Sequence, residues 1–190
     1  MSLFEFTFAL SAVMLGLALA HIAAVLHKLL LAGRRVLWAS EPVLLTALVM
    51  LVIVVVWLGS WRLRDETSVL LGTMILQVLT LMTLYFTAAS CLPEPNGGPE
   101  PINTYEYYDR TRLLSFGSLM ASYVLFEIGS IATAGWPRQI TFATLEGWFL
   151  FPTLYALLIF IRARWFNILT LSFALLYFGW GVMGLRLADG

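Results

Sequence analysis

Uncharged apolar runs of about twenty residues recur along this chain, and they constrain its fold more than any motif does. An α-helix rises ~1.5 Å per residue, so roughly 20 residues cross a hydrocarbon core of ~30 Å. The sequence predicts six such spans, at approximately 4–32, 42–61, 67–89, 112–133, 140–161 and 165–187. A polar loop, 90–111, separates the third span from the fourth. Within it, Asn103 with Glu106 three residues later resembles a capping box, so a new helix is predicted to start there, ahead of the fourth span.

The composition agrees with this prediction. Hydrophobic residues make up 61% of the 190 residues and charged residues only 12%, and the mean hydropathy is +0.89. A typical soluble domain carries about 25% charged residues. We therefore expect an all-α, polytopic transmembrane helix bundle that forms a single domain over residues 1–190, with the lipid bilayer as its surroundings.

Basic residues are distributed unevenly between two sets of loops, and this predicts the orientation. Loops one, three and five contain Lys28, Arg34, Arg35, Arg110, Arg112, Arg162 and Arg164. The termini and loops two and four contain Arg62, Arg64, Arg138 and Arg186. Because cytoplasmic loops carry the excess of Lys and Arg, loops one, three and five should face the cytoplasm and both termini the outside.

The first span carries a row of small residues. Ala12, Gly16, Ala20 and Ala24 recur every four positions and so lie along one face of a helix. Rows of small side chains let two membrane helices approach closely. This helix-packing face is therefore predicted to lie against a neighbouring helix inside the bundle.

His21 lies in the same span, roughly ten residues from its polar end. An ionisable side chain at that depth suggests a functional role, and a neutral imidazole hydrogen-bonded to a threonine or a carbonyl explains it equally well. The other histidine, His27, lies on a different helical face, so a haem held between the two is not expected. With a single cysteine, Cys91, the sequence predicts no metal site and no cofactor.

Two glutamates flank the loop between spans four and five at equal distances. Glu127 precedes that loop by six residues and Glu146 follows it by six, so on antiparallel helices both lie ~9 Å below the membrane surface. Charged carboxylates are costly at such depth, and two close carboxyls can share one proton. The pair is therefore a candidate site for a proton or a cation. A structural role, in which Arg138 pairs with either glutamate, is the alternative.

Two short motifs resemble sequences of a known family. YYDRTR opens the fourth span and IRARWFN lies between spans five and six. Together with six spans, these motifs resemble a family of small bacterial inner-membrane proteins that has no established activity. The resemblance implies a bacterial cytoplasmic membrane and assigns no role to any residue.

The sequence leaves two functions open. The first is a small channel or proton-coupled permeation protein that uses Glu127, Glu146 and His21. It is expected to be a homo-oligomer, because six short helices enclose little interior. The second is a non-catalytic accessory or assembly subunit of a larger membrane complex. No catalytic motif and no basic nucleic-acid patch is present in the sequence, so neither an enzyme nor a nucleic-acid partner is expected.

A cysteine introduced at Asn96 tests the predicted orientation. With Cys91 replaced by alanine, Asn96→Cys should react with a membrane-impermeant maleimide only after the cells are permeabilised, because loop three is predicted to be cytoplasmic. A matched Ser2→Cys variant should react in intact cells. Labelling of Asn96→Cys in intact cells would show that the orientation is reversed.

Overall fold

The computed structural model describes residues 3–60, 71–95, 100–135 and 142–183, and it describes their side chains except at residues 3, 4, 6, 134 and 142–147. These ranges contain six α-helices: α1 (Leu3–Ala32), α2 (Ser40–Ser60), α3 (Leu71–Ser90), α4 (Thr104–Ala134), α5 (Phe142–Phe160) and α6 (Arg164–Met183). They also contain a 3-10 turn at Gly33–Arg35 and two short strands, β1 (Val36–Leu37) and β2 (Ile102–Asn103).

The predicted all-α fold is confirmed. Five of the described helices, α1, α2, α3, α4 and α6, are long and apolar enough to cross a membrane. The sixth helix, α5, has 19 residues, and its part with described side chains, Trp148–Phe160, is a shorter apolar helix. The chain is therefore a multi-pass membrane protein.

The clearest difference from the predicted spans is at the start of α4. Hydropathy begins the fourth span at residue 112, whereas α4 begins at Thr104. Asn103 caps the helix, because its Oδ1 accepts hydrogen bonds from the backbone N–H groups of Tyr105 (3.1 Å) and Glu106 (3.3 Å). Hydropathy does not detect this first part because its residues are polar. The predicted helix start at Asn103, within the polar segment 90–111, is therefore confirmed, and the segment between α3 and α4 is 91–103.

The helices form a bundle in which α2 has the most neighbours. The most extensive contact is between α3 and α4, followed by α2 with α6, α4 with α5, and α1 with α3. The helix α2 also contacts α1, α3 and α4. Although only a short turn joins α5 to α6, the backbones of these two helices come close to each other at few positions.

The described segments 33–39, 91–95, 100–103 and 161–163 lie at one end of the bundle, which we call the loop face. There β1 and β2 pair in parallel, with Val36 opposite Ile102 and Leu37 opposite Asn103. Thr104 strengthens this junction, because its Oγ1 donates to the Leu37 carbonyl and accepts from the Ala39 N–H, both at 2.9 Å. The first loop is thereby attached to the start of α4.

Hydroxyl and amide groups join the helices within the bundle. Ser115 of α4 donates to the Ser90 hydroxyl of α3 at 2.8 Å, and Gln77 of α3 donates to the Ser11 hydroxyl of α1 at 2.8 Å. Side-chain hydrogen bonds of this kind stabilise membrane helix contacts because lipid offers no alternative partner. Gln77 and Ser90 therefore join α3 to α1 and to α4.

The small residues of α1 do not face the interior of this chain. Gly16, Ala20 and Ala24 are exposed and Ala12 is half-buried, and a Cβ placed on Gly16 would meet no atom within 4 Å. The buried face alternates four-residue and three-residue steps instead: Ser11, Leu15, Ala18, Ile22, Val25 and Leu29. This heptad-like spacing is typical of side chains that interlock with neighbouring helices.

The prediction that the small-residue face packs inside the bundle is therefore wrong for the single chain. Lipid and protein interior are both apolar, so hydrophobicity does not mark which face of a membrane helix is buried. As a contact face for a second protein chain, Ala12, Gly16, Ala20 and Ala24 stay a prediction.

Two alanines on α1 distinguish its buried face from its exposed face. Ala18→Leu adds volume to the packed interior and should destabilise the monomer by on the order of 1 to 3 kcal/mol, because Ala18 is 1% exposed. Ala20→Leu should leave the stability of the monomer unchanged, because Ala20 is exposed. Thermal unfolding of both variants in detergent, measured by tryptophan fluorescence, tests this. Equal loss of stability in the two variants would contradict the observed helix orientation.

Candidate functional site

Among the described residues, two groups of side chains surround a glutamate inside the bundle, and the first lies at the loop face. Glu41, in the first turn of α2, is fully buried. Arg164, at the start of α6, approaches both carboxylate oxygens: its Nε lies 2.6 Å from Oε1 and its Nη2 lies 3.2 Å from Oε2. The same guanidinium lies 4.5 Å above the ring of Tyr105 in α4. This ion pair therefore joins α2, α4 and α6.

Arg112 forms the second connection at the loop face. Its Nη1 donates to the carbonyls of Leu158 (3.2 Å) and Ile161 (2.7 Å) at the C-terminal end of α5. These carbonyls have no partner within their own helix, and the end of a helix carries partial negative charge. With its amide oriented to satisfy both of its polar atoms, Asn167 donates to the Ile161 carbonyl at 3.1 Å and accepts from Arg112 at 3.0 Å. Arg112 and Asn167 thus join α4 to α5 and α6.

The bonds at the loop face indicate a structural role. Both oxygens of Glu41 have a cationic donor, and Arg112 is bonded to carbonyls that would otherwise be unsatisfied. The sequence pattern did not indicate this group, because Arg112 and Arg164 stand in it only as loop charges that set the orientation. One signal was available in the sequence: Glu41 lies within the first turn of an apolar helix, where a carboxylate needs a partner.

The second group surrounds Glu127, which is half-buried on the side of α4 that meets α5. Its carboxyl is hydrogen-bonded to the side chains of Tyr123, one turn earlier in α4, and Trp148 of α5. An indole N–H can only donate, and a carboxylate accepts from a phenol as well. Glu127 is therefore held by two neutral donors that bridge two helices.

Aromatic rings continue from Glu127 into the contact between α5 and α6. Phe151, which is 3% exposed, lies at the centre of this cluster. Its ring centroid is 5.7 Å from that of Tyr123, 5.2 Å from that of Tyr177 and 4.6 Å from that of Phe178. Such distances are typical of aromatic pairs in contact. We call Tyr123, Glu127, Trp148, Phe151 and Tyr177 together the Glu127 site.

The half of the bundle that contains the Glu127 site is less tightly packed in α2, α4 and α6, although Thr7 of α1 and Thr73 of α3 are buried there. Among the described side chains, the last buried residue of α2 is Ile53, that of α4 is Ser122 and that of α6 is Ala174. Beyond these positions the side chains are half-buried or exposed. Since α4 runs from the loop face towards Ala134, Glu127 belongs to the half opposite the loop face.

The predicted pairing of Glu127 with Glu146 is not tested. Residue 146 is part of α5, but its side chain lies outside those that the structure describes, as does Arg138 of the adjoining loop. The sharing of a proton or a cation between the two carboxyls therefore stays a prediction.

His21 lies in a different part of the bundle. It is half-buried on α1, and its ring centroid is 6.2 Å from that of Tyr85 on α3. Glu127 lies instead at the contact between α4 and α5, on the other side of α3. The structure therefore places His21 and Glu127 at different helix contacts, and a role for His21 as a further ionisable site stays a prediction.

Neither a metal site nor a reactive thiol is found among the side chains that the structure describes. No three His, Cys, Asp or Glu side chains among them come together in a group that could hold a metal ion. Cys91 is buried and its Sγ donates to the Thr87 carbonyl at 3.0 Å. Burial raises the pKa of the Cys91 thiol, so the thiol is protonated at neutral pH and is a poor nucleophile.

Comparisons of this chain with known proteins find no matching family model, no matching curated protein and no matching solved structure. The resemblance of YYDRTR and IRARWFN to a bacterial inner-membrane family therefore stays a prediction.

A double-mutant cycle tests the ion pair at the loop face. Arg164→Gln leaves the buried Glu41 carboxylate without its cation and should lower the melting temperature clearly. The double variant Glu41→Gln/Arg164→Gln removes both charges and should melt at a higher temperature than Arg164→Gln alone. Arg162→Gln, at an exposed arginine two residues earlier, serves as the control. If the double variant loses as much melting temperature as the two single variants together, the two charges are not coupled.

Proposed function

We propose that the protein mediates proton-coupled permeation across the membrane, with Glu127 as the group that binds the proton. One observation carries this proposal: Glu127 is half-buried inside a membrane-spanning helix, and its described partners, Tyr123 and Trp148, are neutral. Glu41 differs, because an arginine holds it as a permanent carboxylate. A carboxyl with neutral partners can exist in both protonation states, and this is what a proton carrier requires.

The other titratable groups near Glu127 are phenols, which supports Glu127 as the group that gains or loses a proton near neutral pH. In the described part of the chain, these are Tyr123 on the same helix and, within electrostatic range of Tyr123, Tyr155 on α5 and Tyr177 on α6. Phenols ordinarily titrate near pH 10. A change of activity between pH 5 and 8 that depends on Glu127 is therefore attributed to its carboxyl.

The asymmetry of the bundle supports a permeation mechanism with one closed end. Ion pairs and side-chain hydrogen bonds join the helices at the loop face, whereas the helices around Glu127 are packed less tightly. By the distribution of basic residues, the loop face is cytoplasmic and the Glu127 half faces outward. In this state Glu127 would exchange protons with the outer side, and transport to the inner side would require the contacts at the loop face to open.

A second function, that of an accessory subunit in a larger membrane complex, is favoured by a separate observation. Gly16, Ala20 and Ala24 form an exposed row of small residues on α1, a surface that suits close contact with another helix. A single oligomeric species after purification supports permeation by a homo-oligomer. Constant stoichiometry with other subunits supports the accessory role.

Replacement of Glu127 by glutamine tests the proposed proton carrier. Glu127→Gln imitates the protonated acid at nearly constant volume, so the protein should fold. Proton flux into reconstituted vesicles, driven by a pH gradient and followed with an internal pH-sensitive dye, should fall to the level of empty vesicles. If Glu146 shares the proton, Glu146→Gln should also reduce the flux.

Glu106→Gln is the matched control, because Glu106 is exposed on the same helix near the loop face. This variant should transport protons as the unmodified protein does. Undiminished flux in Glu127→Gln, or absence of flux in the unmodified protein, would refute the proposed proton coupling.

A further inference from the structure

We propose that the Glu127 site binds a lipophilic organic cation, and that a cation of this class is the solute whose permeation is coupled to protons. The inference rests on the proposed function, because it gives Glu127 a substrate as well as a proton. The binding step itself is separate from proton coupling and can be measured without it.

The side chains of the site match the chemistry of an organic cation. The Glu127 carboxylate supplies one negative charge, and Tyr123 and Trp148 are in contact with it. The faces of aromatic rings attract cations, and tryptophan does so most strongly. A carboxylate beside several rings therefore offers both charge neutralisation and apolar contact.

The same side chains suit an inorganic cation poorly. Magnesium and calcium ions require about six or more oxygen ligands, whereas the Glu127 site as described contains one carboxyl, two phenols and two rings without oxygen. No group of three His, Cys, Asp or Glu that could hold a metal was found in the described ranges. The balance of charge and apolar surface thus favours a large, weakly hydrated cation.

The exposure of the rings gives such a cation a path to the site. Phe151 is 3% exposed and forms the base of the cluster, whereas Tyr177 is 42% exposed and Trp148 and Tyr123 are half-buried. The rings that would contact a ligand are therefore reachable from the less tightly packed half of the bundle. A lipophilic cation partitions into this region of the bilayer, where a buried carboxylate attracts it strongly because the surroundings are apolar.

Exchange between a proton and the cation follows from the presence of a single carboxyl in the described site. Protonated Glu127 has no charge with which to hold a cation, and a bound cation stabilises the carboxylate form. The two ligands are therefore expected to compete, so that inward movement of a proton can drive outward movement of a cation. The Tyr123 and Trp148 side chains can hydrogen-bond to the carboxyl in either state.

Binding of tetraphenylphosphonium to the purified full-length protein tests the inference. Isothermal titration calorimetry in detergent should show saturable binding, whereas neutral triphenylphosphine oxide, which has the same aryl groups, should bind at least tenfold more weakly. Glu127→Gln should lose at least tenfold in affinity for tetraphenylphosphonium, and Glu127→Asp should retain part of it. Glu106→Gln should bind as the unmodified protein does.

An aromatic variant keeps the test decisive if Glu127→Gln fails to fold. Tyr177→Leu removes one exposed ring of the site and should weaken tetraphenylphosphonium binding by roughly threefold to thirtyfold. Tyr85→Leu, which changes a ring beside His21 on the other side of α3, should have no effect on binding. Melting curves of each variant show whether it is folded.

The outcomes separate this inference from the proposed function. Equal affinity for the phosphonium and the oxide, or undiminished phosphonium affinity in both Glu127→Gln and Tyr177→Leu, would overturn the inference, even if Glu127→Gln abolishes proton flux. Charge-dependent binding that requires Glu127 and Tyr177 supports the site. If such binding occurs in a protein without proton flux, the binding site stands and the proton coupling is refuted.

Discussion

The ion pair between Glu41 and Arg164 is the contact on which the arrangement of the helices most depends. Within lipid, apolar side chains gain little by leaving lipid for protein, so polar contacts and close packing must hold membrane helices together. Glu41 and Arg164 join α2 to α6 at a sequence separation of 123 residues, and Arg112 joins α4 to the end of α5. Because these bonds gather four helices at the loop face, the helices can be packed less tightly at the opposite end without separating.

This asymmetry places the two membrane glutamates in different physical situations. The loop face supplies Glu41 with an arginine in bidentate geometry, so its charge is neutralised permanently. The opposite half supplies Glu127 with a phenol, an indole and a group of aromatic rings. The same side chain is therefore paired with an arginine at one end of the bundle and is bonded, among the described residues, to neutral donors at the other.

The sequence predicted the helices well, because a hydrocarbon core requires long apolar runs and these are visible locally. It also predicted the Asn103 cap and placed Glu127 within a span, since both depend on near neighbours. It did not predict that Arg164 pairs with Glu41, because contacts between distant helices leave no local pattern. The small residues of α1 were placed on the wrong face for a related reason: a ladder of alanines can pack against protein or lie in lipid, and its sequence is the same in both cases.

Neutral hydrogen-bond donors explain why Glu127 could serve two ligands in turn. An arginine partner would hold the carboxylate charged and would repel an incoming cation, so neither a proton nor a cation could replace it easily. Tyr123 and Trp148 orient the carboxyl without adding charge, and their rings also provide surfaces that a cation can contact. In the proposed mechanism, the same pair of residues would therefore account for reversible protonation and for selection of organic cations. Exchange at one carboxyl would then couple the two movements without requiring a second ionisable group.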